Sequence, residues 1–136
     1  MYFYYSNDSL IKYCIRSFFK DCYCLVYIFD LTNIDTLNKL EEMIKFLYNE
    51  ENACKIFLKN FPLLIIGNKS DIKKEINVSK SEMEKLCSPI KLVDYIEVSA
   101  KNSIGLKEAF ERIEKNCLDY YNYYQYEHQE MYLNGI

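Results

Sequence analysis

Residues 62–71 read PLLIIGNKSD, a short apolar run between Pro62 and Gly67 with polar residues directly after it. A short β-branched run bounded by turn residues is typical of a buried strand. Similar runs occur in CLVYIF at 24–29, which Asp30 follows, and in YIEV at 95–98. Strands without polar alternation are typical of parallel sheets covered on both faces. The sequence therefore predicts three parallel strands.

Helical patterns separate these runs. Apolar residues recur at helical spacing over 37–48, and again over 106–117. Between them, Ser79 and Glu82 have the spacing of a capping box ahead of a short helix that Pro89 ends. Another amphipathic helix is predicted over residues 8–20. Strand alternating with helix predicts an open α/β sheet with right-handed crossovers.

Two polar motifs follow the second and third predicted strands: NKSD at 68–71 and SAK at 99–101. Ligands of open α/β sheets bind beyond the carboxyl ends of the strands, so these loops form the candidate site. The pair of motifs resembles the N-K-x-D and S-A-K guanine-specificity elements of the Ras superfamily of small GTPases. In addition, DCYCLVYIFDLTN at 21–33 resembles the family's fourth strand, with the Rab branch nearest, and IGLKEAF at 104–110 resembles the start of its last helix.

The resemblance implies a partial Ras-like P-loop NTPase fold. Residues 1–118 would be a truncated small GTPase domain. Residues 119–136, which include six tyrosines, would be a helix extension or a flexible tail. In the family another strand pairs beside the fourth, so the run at 24–29 is expected to form an exposed apolar edge.

Hydrogen bonding explains why three of the motif residues suit guanine. Asp71 can accept from both adjacent donors of the base, N1–H and the N2 amino group, and adenine offers no such pair. Asn68 can bridge the base and the neighbouring loop through its amide. The backbone N–H of Ala100 can meet guanine O6, and its small side chain lets the base approach.

The other motif residues would shape a slot for the ring. The methylene stems of Lys69 and Lys101 would cover the two faces of the purine, and Ser99 would buttress its loop. Each motif alone is also ordinary surface-turn composition. The candidate guanine-binding residues are Asn68, Lys69, Asp71, Ser99, Ala100 and Lys101.

The parts that grip phosphates in this family are absent from this sequence. Its first glycine is Gly67, so it contains no G-x-x-x-x-G-K-[ST] loop ahead of the strands, and no switch threonine or D-x-x-G turn is recognised. The resemblance implies GTP or GDP with Mg²⁺ for the complete domain, but we identify no catalytic residue and no metal ligand. We do not expect the chain to hydrolyse GTP by itself, and we expect guanine to bind at ~1 mM.

The leading interpretation is therefore the guanine-recognition half of a Rab-like GTP/GDP switch that acts through effector and exchange proteins in intracellular transport. The alternative is a nucleotide-independent interaction module that uses the aromatic tail or the edge strand. A third interpretation, a flavodoxin-like binding domain, leaves both motifs unexplained.

Composition excludes other classes. A net charge of −3, from 20 acidic and 17 basic residues, gives no positive field for nucleic acid. No apolar run approaches the ~18 residues of a membrane span. Six scattered cysteines and the lack of a signal sequence indicate a cytoplasmic protein with reduced thiols. The last cysteine is Cys117, so prenylation of the C-terminus is not expected, and membrane association is in doubt.

Overall fold

The computed structural model describes residues 22–47, 61–88, 90 and 93–133. The helix expected over 8–20, the expected helix end at Tyr48 and the breaker Pro89 lie outside these residues. In chain order the elements are β1 (Leu25–Asp30), α1 (Ile34–Leu47), β2 (Leu63–Asn68), α2 (Lys80–Leu86), β3 (Val93–Glu97) and α3 (Leu106–Leu133).

The three strands form one parallel sheet in the order β1-β2-β3. The predicted α/β class with three parallel strands alternating with helices is confirmed. β2 runs one residue past Gly67, the turn residue at which the sequence predicts its end. Gly67 pairs with Phe29 on one side and with Glu97 on the other, so the ladder continues to Asn68.

Helices cover both faces of the sheet. On one face α1 and α2 pack over a cluster that includes Leu40, Ile65 and Met83. On the other face Ala109 of α3 packs against a cluster that includes Leu64. The successive residues of β2 therefore point into opposite hydrophobic layers and are buried in both. This two-sided burial is the physical reason for the unbroken apolar run.

Local hydrogen bonds set the starts of the two shorter helices. The Asn33 side chain accepts from the N–H of Asp35 at 3.0 Å, directly ahead of α1, so Asn33 caps that helix. Ser79 and Glu82 form the predicted capping box of α2.

α3 is longer than the apolar periodicity predicts, with 28 residues that extend through Leu133. The Tyr120 ring contacts the ring of Phe61, with 4.9 Å between centroids, near the amino ends of the strands. Beyond this contact the Tyr126 side chain is 62% exposed. In the part of the chain that the structure describes, no helix has the length and apolar character needed to cross a membrane.

An apolar groove of about 170 Å³ separates β1 from α3, and its lining includes Val26, Ile66 and Leu106. Two further lining residues are largely exposed, Ile28 at 61% and Phe110 at 67%. The apolar periodicity over 106–117 places Phe110 on the apolar face of the last helix, yet its side chain is largely exposed. Phe110 lies beside β1, at the rim of this groove.

Four cysteines fall within the described ranges, and none of them forms a disulfide with another described cysteine. Burial raises the pKa of Cys87 to about 12. Burial, together with the neighbouring Cys117, raises the pKa of Cys24 to about 11. Cys24 and Cys87 are therefore protonated at neutral pH and are not activated nucleophiles.

Candidate functional site

The two polar motifs meet at the carboxyl edge of the sheet. Asn68 is the last residue of β2, and its side-chain oxygen accepts from the N–H of Lys69 at 2.8 Å and from the N–H of Ala100 at 3.1 Å. A backbone bond from Ser70 N–H to the Val98 oxygen, 3.0 Å, ties the same loops again. Asn68 thus joins the NKSD loop to the SAK loop.

The second link between the motifs is a bond from Ser99 to Asp71. Ser99 is completely buried, and its hydroxyl donates to Asp71 Oδ1 at 2.5 Å while accepting from the N–H of Asn102 at 3.2 Å. This bond, helped by the charges of Lys101 and Lys69, lowers the pKa of Asp71 below its ordinary range. Asp71 is exposed, so the loop presents an ionised carboxylate to solvent at neutral pH.

The turn after Ser99 includes a residue with a left-handed backbone conformation. Ser99 and Ile104 exchange two backbone hydrogen bonds of 3.0 Å, which close the SAK loop. Just beyond, Gly105 has φ +71°, and a Cβ there would lie 3.0 Å from the backbone oxygen of Glu97. A glycine is needed at this position because both the left-handed backbone and the close approach exclude a side chain.

Lys69 also has a left-handed backbone, with φ +68°. Such a conformation is uncommon for a residue other than glycine and costs on the order of 1 kcal/mol. The Lys69 side chain crosses to the end of the neighbouring strand, where Nζ lies 2.6 Å from Asp30 Oδ2. Asp30 pairs with Asn68 in the sheet register.

Asp30 is a residue of this edge that our sequence reasoning missed. The sequence held one signal, an acidic residue at the carboxyl end of an apolar run, beside the strand that carries NKSD. Its partner could not be read from the sequence because Lys69 lies 39 positions away along the chain and reaches it only across the paired strands.

Ala100, one of the six predicted site residues, makes its backbone contact with the NKSD motif. Its N–H, which we expect to meet guanine O6, donates to Asn68 because that side-chain oxygen lies within reach. A purine oxygen at this position would have to share or replace that acceptor. The Lys101 side chain, at the end of the SAK motif, is exposed.

The site offers an ionised carboxylate, an amide, a backbone donor and two lysine stems. These groups suit a flat heterocycle with adjacent N–H donors. Within the described ranges, no group of three or more His, Cys, Asp or Glu side chains could hold a metal ion.

The Asp30–Lys69 pair makes stability depend on pH in the acid range. The hydrogen bond from Lys69, followed by those from Thr32, lowers the pKa of Asp30 from 3.8 to about 2 despite the opposing effect of burial. Since the folded pKa lies below the unfolded one, the stabilisation is complete above about pH 4 and is lost as pH falls through about 2. Lys69 is 49% exposed, so we expect less than about 1 kcal/mol.

Urea unfolding at a series of pH values measures this effect. The free energy of unfolding of the unmodified chain should exceed that of Asp30→Asn at about pH 6, and the difference should shrink between pH 4 and 2. A difference that stays constant down to the lowest pH would contradict the assignment.

The chain is similar in sequence to a family of known proteins. The model of the Ras family matches residues 11–119. The chain is 34% identical over 116 residues to Ras-related protein RabN1 of Dictyostelium discoideum, covering 79% of this chain and 54% of that protein. It is 34% identical over 114 residues to Ras-related protein RabK2 of the same organism, covering 78% and 71%. It is 30% identical over 122 residues to Ras-related protein Rab7 of Pisum sativum, covering 86% and 54%.

All three of these relatives are named as Rab proteins. The family model covers most of the chain, including both polar motifs. The chain spans about half the length of RabN1 and Rab7.

Proposed function

The chain belongs to the Ras family of small GTPases and is Rab-like, and from that premise we propose that its NKSD and SAK loops bind the guanine base of GTP or GDP. The observation that carries this proposal is the pair of links between the loops, from Asn68 to Ala100 and from Ser99 to Asp71. They bring both motifs to one edge and leave an ionised carboxylate exposed there.

Asp71 would carry the selectivity. One of its oxygens is fixed by Ser99, which orients the carboxylate plane, and the charge is retained at neutral pH. Charge-assisted hydrogen bonds from guanine N1–H and N2–H would each contribute ~1.5 to 3 kcal/mol. Adenine lacks these donors, so the same carboxylate would discriminate against it.

The phosphates and Mg²⁺ do not find matching groups in this sequence. A phosphate cradle in this family needs glycines and a lysine ahead of the strands, and the first glycine here is Gly67. We therefore assign the described residues to recognition of the base alone and derive no hydrolytic step from them. Binding should depend on the base and only weakly on the number of phosphates.

The wider role that follows is that of a GTP/GDP switch in the cytoplasm, acting through effector and exchange proteins, to which this chain contributes the guanine-recognition half.

The exposed tyrosines of α3, among them Tyr121 at 43% and Tyr126 at 62%, favour a second candidate function. This is an interaction module on a GTPase scaffold that does not use nucleotide.

Titration of the full chain with mononucleotides distinguishes the two candidates. We expect GMP to bind at ~1 mM and AMP to bind at least about tenfold more weakly. The amide NMR signals that shift should belong to residues 68–71 and 99–101. GDP and GTP should bind within about threefold of GMP, which is less than ~0.7 kcal/mol.

Two results would count against the proposal. Equal shifts with GMP and AMP would mean that the carboxylate does not read the base. Shifts confined to α3 would favour the interaction module.

A further inference from the structure

The ion pair between Lys69 and Asp30 is a side-chain contact between the NKSD loop and β1. Lys69 Nζ lies 2.6 Å from Asp30 Oδ2, and the two side chains are 49% and 21% exposed. The lysine stem therefore runs from the end of β2 toward the end of β1.

Asp30 is itself held firmly. Its Oδ1 accepts from the N–H of Thr32 at 2.9 Å and from the Thr32 hydroxyl at 2.7 Å, so this oxygen is occupied and Oδ2 faces the lysine. The N–H of Asp30 donates to the Thr36 hydroxyl at 2.9 Å, which fixes the backbone at the start of α1. The anchor for Lys69 is thus a preorganised carboxylate.

A competing carboxylate lies close by on the chain. Asp71 is two residues after Lys69, and the positive charge of Lys69 already contributes to lowering its pKa. An ammonium group that moved from Asp30 to Asp71 would occupy the acceptor that the base needs. The Asp30 carboxylate instead holds this ammonium group at the end of β1, away from Asp71.

From this geometry we propose that Asp30 is a positioning residue of the guanine site, which holds the Lys69 stem along the purine slot and keeps its charge away from Asp71. Asp30 itself does not touch the base. The inference rests on the proposed function and adds a residue to it from a strand that carries neither motif.

A double-mutant cycle on GMP affinity, followed by NMR with the full chain, tests the inference. Asp30→Asn should weaken GMP binding about three- to fivefold, the upper range for a partly exposed ion pair. Lys69→Met keeps the apolar stem and removes the charge that Asp30 binds. In that background Asp30→Asn should cause no further loss, because Asp30 acts only through Lys69.

Asp35→Asn is the matched control, since it removes the same charge from an exposed position in the first turn of α1. It should leave GMP affinity unchanged. A loss that is equally large in the Lys69→Met background would show that Asp30 acts structurally, and it would overturn the inference.

The remaining outcomes separate the inference from the proposed function. If the unmodified chain prefers GMP and Asp30→Asn binds it equally well, the inference is overturned and the proposed function stands. If the unmodified chain shows no preference for GMP over AMP, the proposed function fails and the inference fails with it.

Discussion

Asp71→Asn is expected to abolish GMP binding in the millimolar range and to create a preference for the xanthine nucleotide XMP. The asparagine keeps one oxygen as an acceptor, which can still take the bond from Ser99 or from N1–H, but its other arm becomes an N–H donor. The guanine N2 amino group would then face a donor. Xanthine has a carbonyl at that position and can accept from it.

The expected loss of GMP affinity is about 10- to 100-fold, since one charge-assisted hydrogen bond is removed and two donors are placed in opposition. NMR titrations with GMP, AMP and XMP measure it. The fold should be unaffected because Asp71 is exposed. Asp119→Asn, an exposed position on α3, supplies the same charge change away from the edge and should bind GMP as the unmodified chain does.

Unchanged GMP affinity in Asp71→Asn would mean that the carboxylate does not contact the base. Loss of GMP binding with no gain for XMP would indicate a general disturbance of the loop. Only the exchange of one purine for the other ties the selectivity to the two donors that Asp71 is proposed to accept.

Much of the fold could be predicted because its determinants are local in sequence. The apolar run of β2 reports burial on both faces, and the Ser79–Glu82 spacing reports a helix start. The two motifs follow strand ends, and parallel strands bring their carboxyl ends to one edge. The convergence of Asn68 with the SAK loop therefore followed from sequence order alone.

The unpredicted features depend on contacts between distant residues. The pairing of Lys69 with Asp30 depends on the register between β1 and β2 and on a left-handed backbone that lysine does not favour. The sequence predicts that Asn68 bridges to the SAK loop, but which backbone N–H it accepts from, that of Ala100, depends on how closely the two loops approach. Helical periodicity indicates which face of α3 is apolar. It does not indicate which residues pack beside β1, and the exposure of Phe110 depends on those residues.

Leu31→Ala is expected to destabilise the chain by about 2 to 5 kcal/mol, the range for a leucine removed from a well-packed interior. The Leu31 side chain is completely buried in the core cluster between the sheet and α1. Its backbone N–H also donates to the Asn68 oxygen at 3.0 Å, and its oxygen accepts from the N–H groups of Glu75 and Ile76. Leu31 therefore sits directly below the site. Urea unfolding gives the free energy, with Leu118→Ala, at a 56% exposed position, as the control that should cost far less.

A second substitution shows whether the loss reflects packing against β2. A Cβ at Gly67 would lie 2.9 Å from Leu31 Cδ2 and 3.0 Å from the Tyr95 hydroxyl oxygen. Gly67→Ala alone should therefore cost about 1 to 3 kcal/mol through overpacking. In combination with Leu31→Ala the new methyl group enters the space that the leucine leaves, so the double variant should be more stable than the sum of the two losses predicts. Strict additivity would show that the two side chains do not share this space. The glycine ahead of NKSD would then be required to leave room for the Tyr95 hydroxyl instead of for Leu31.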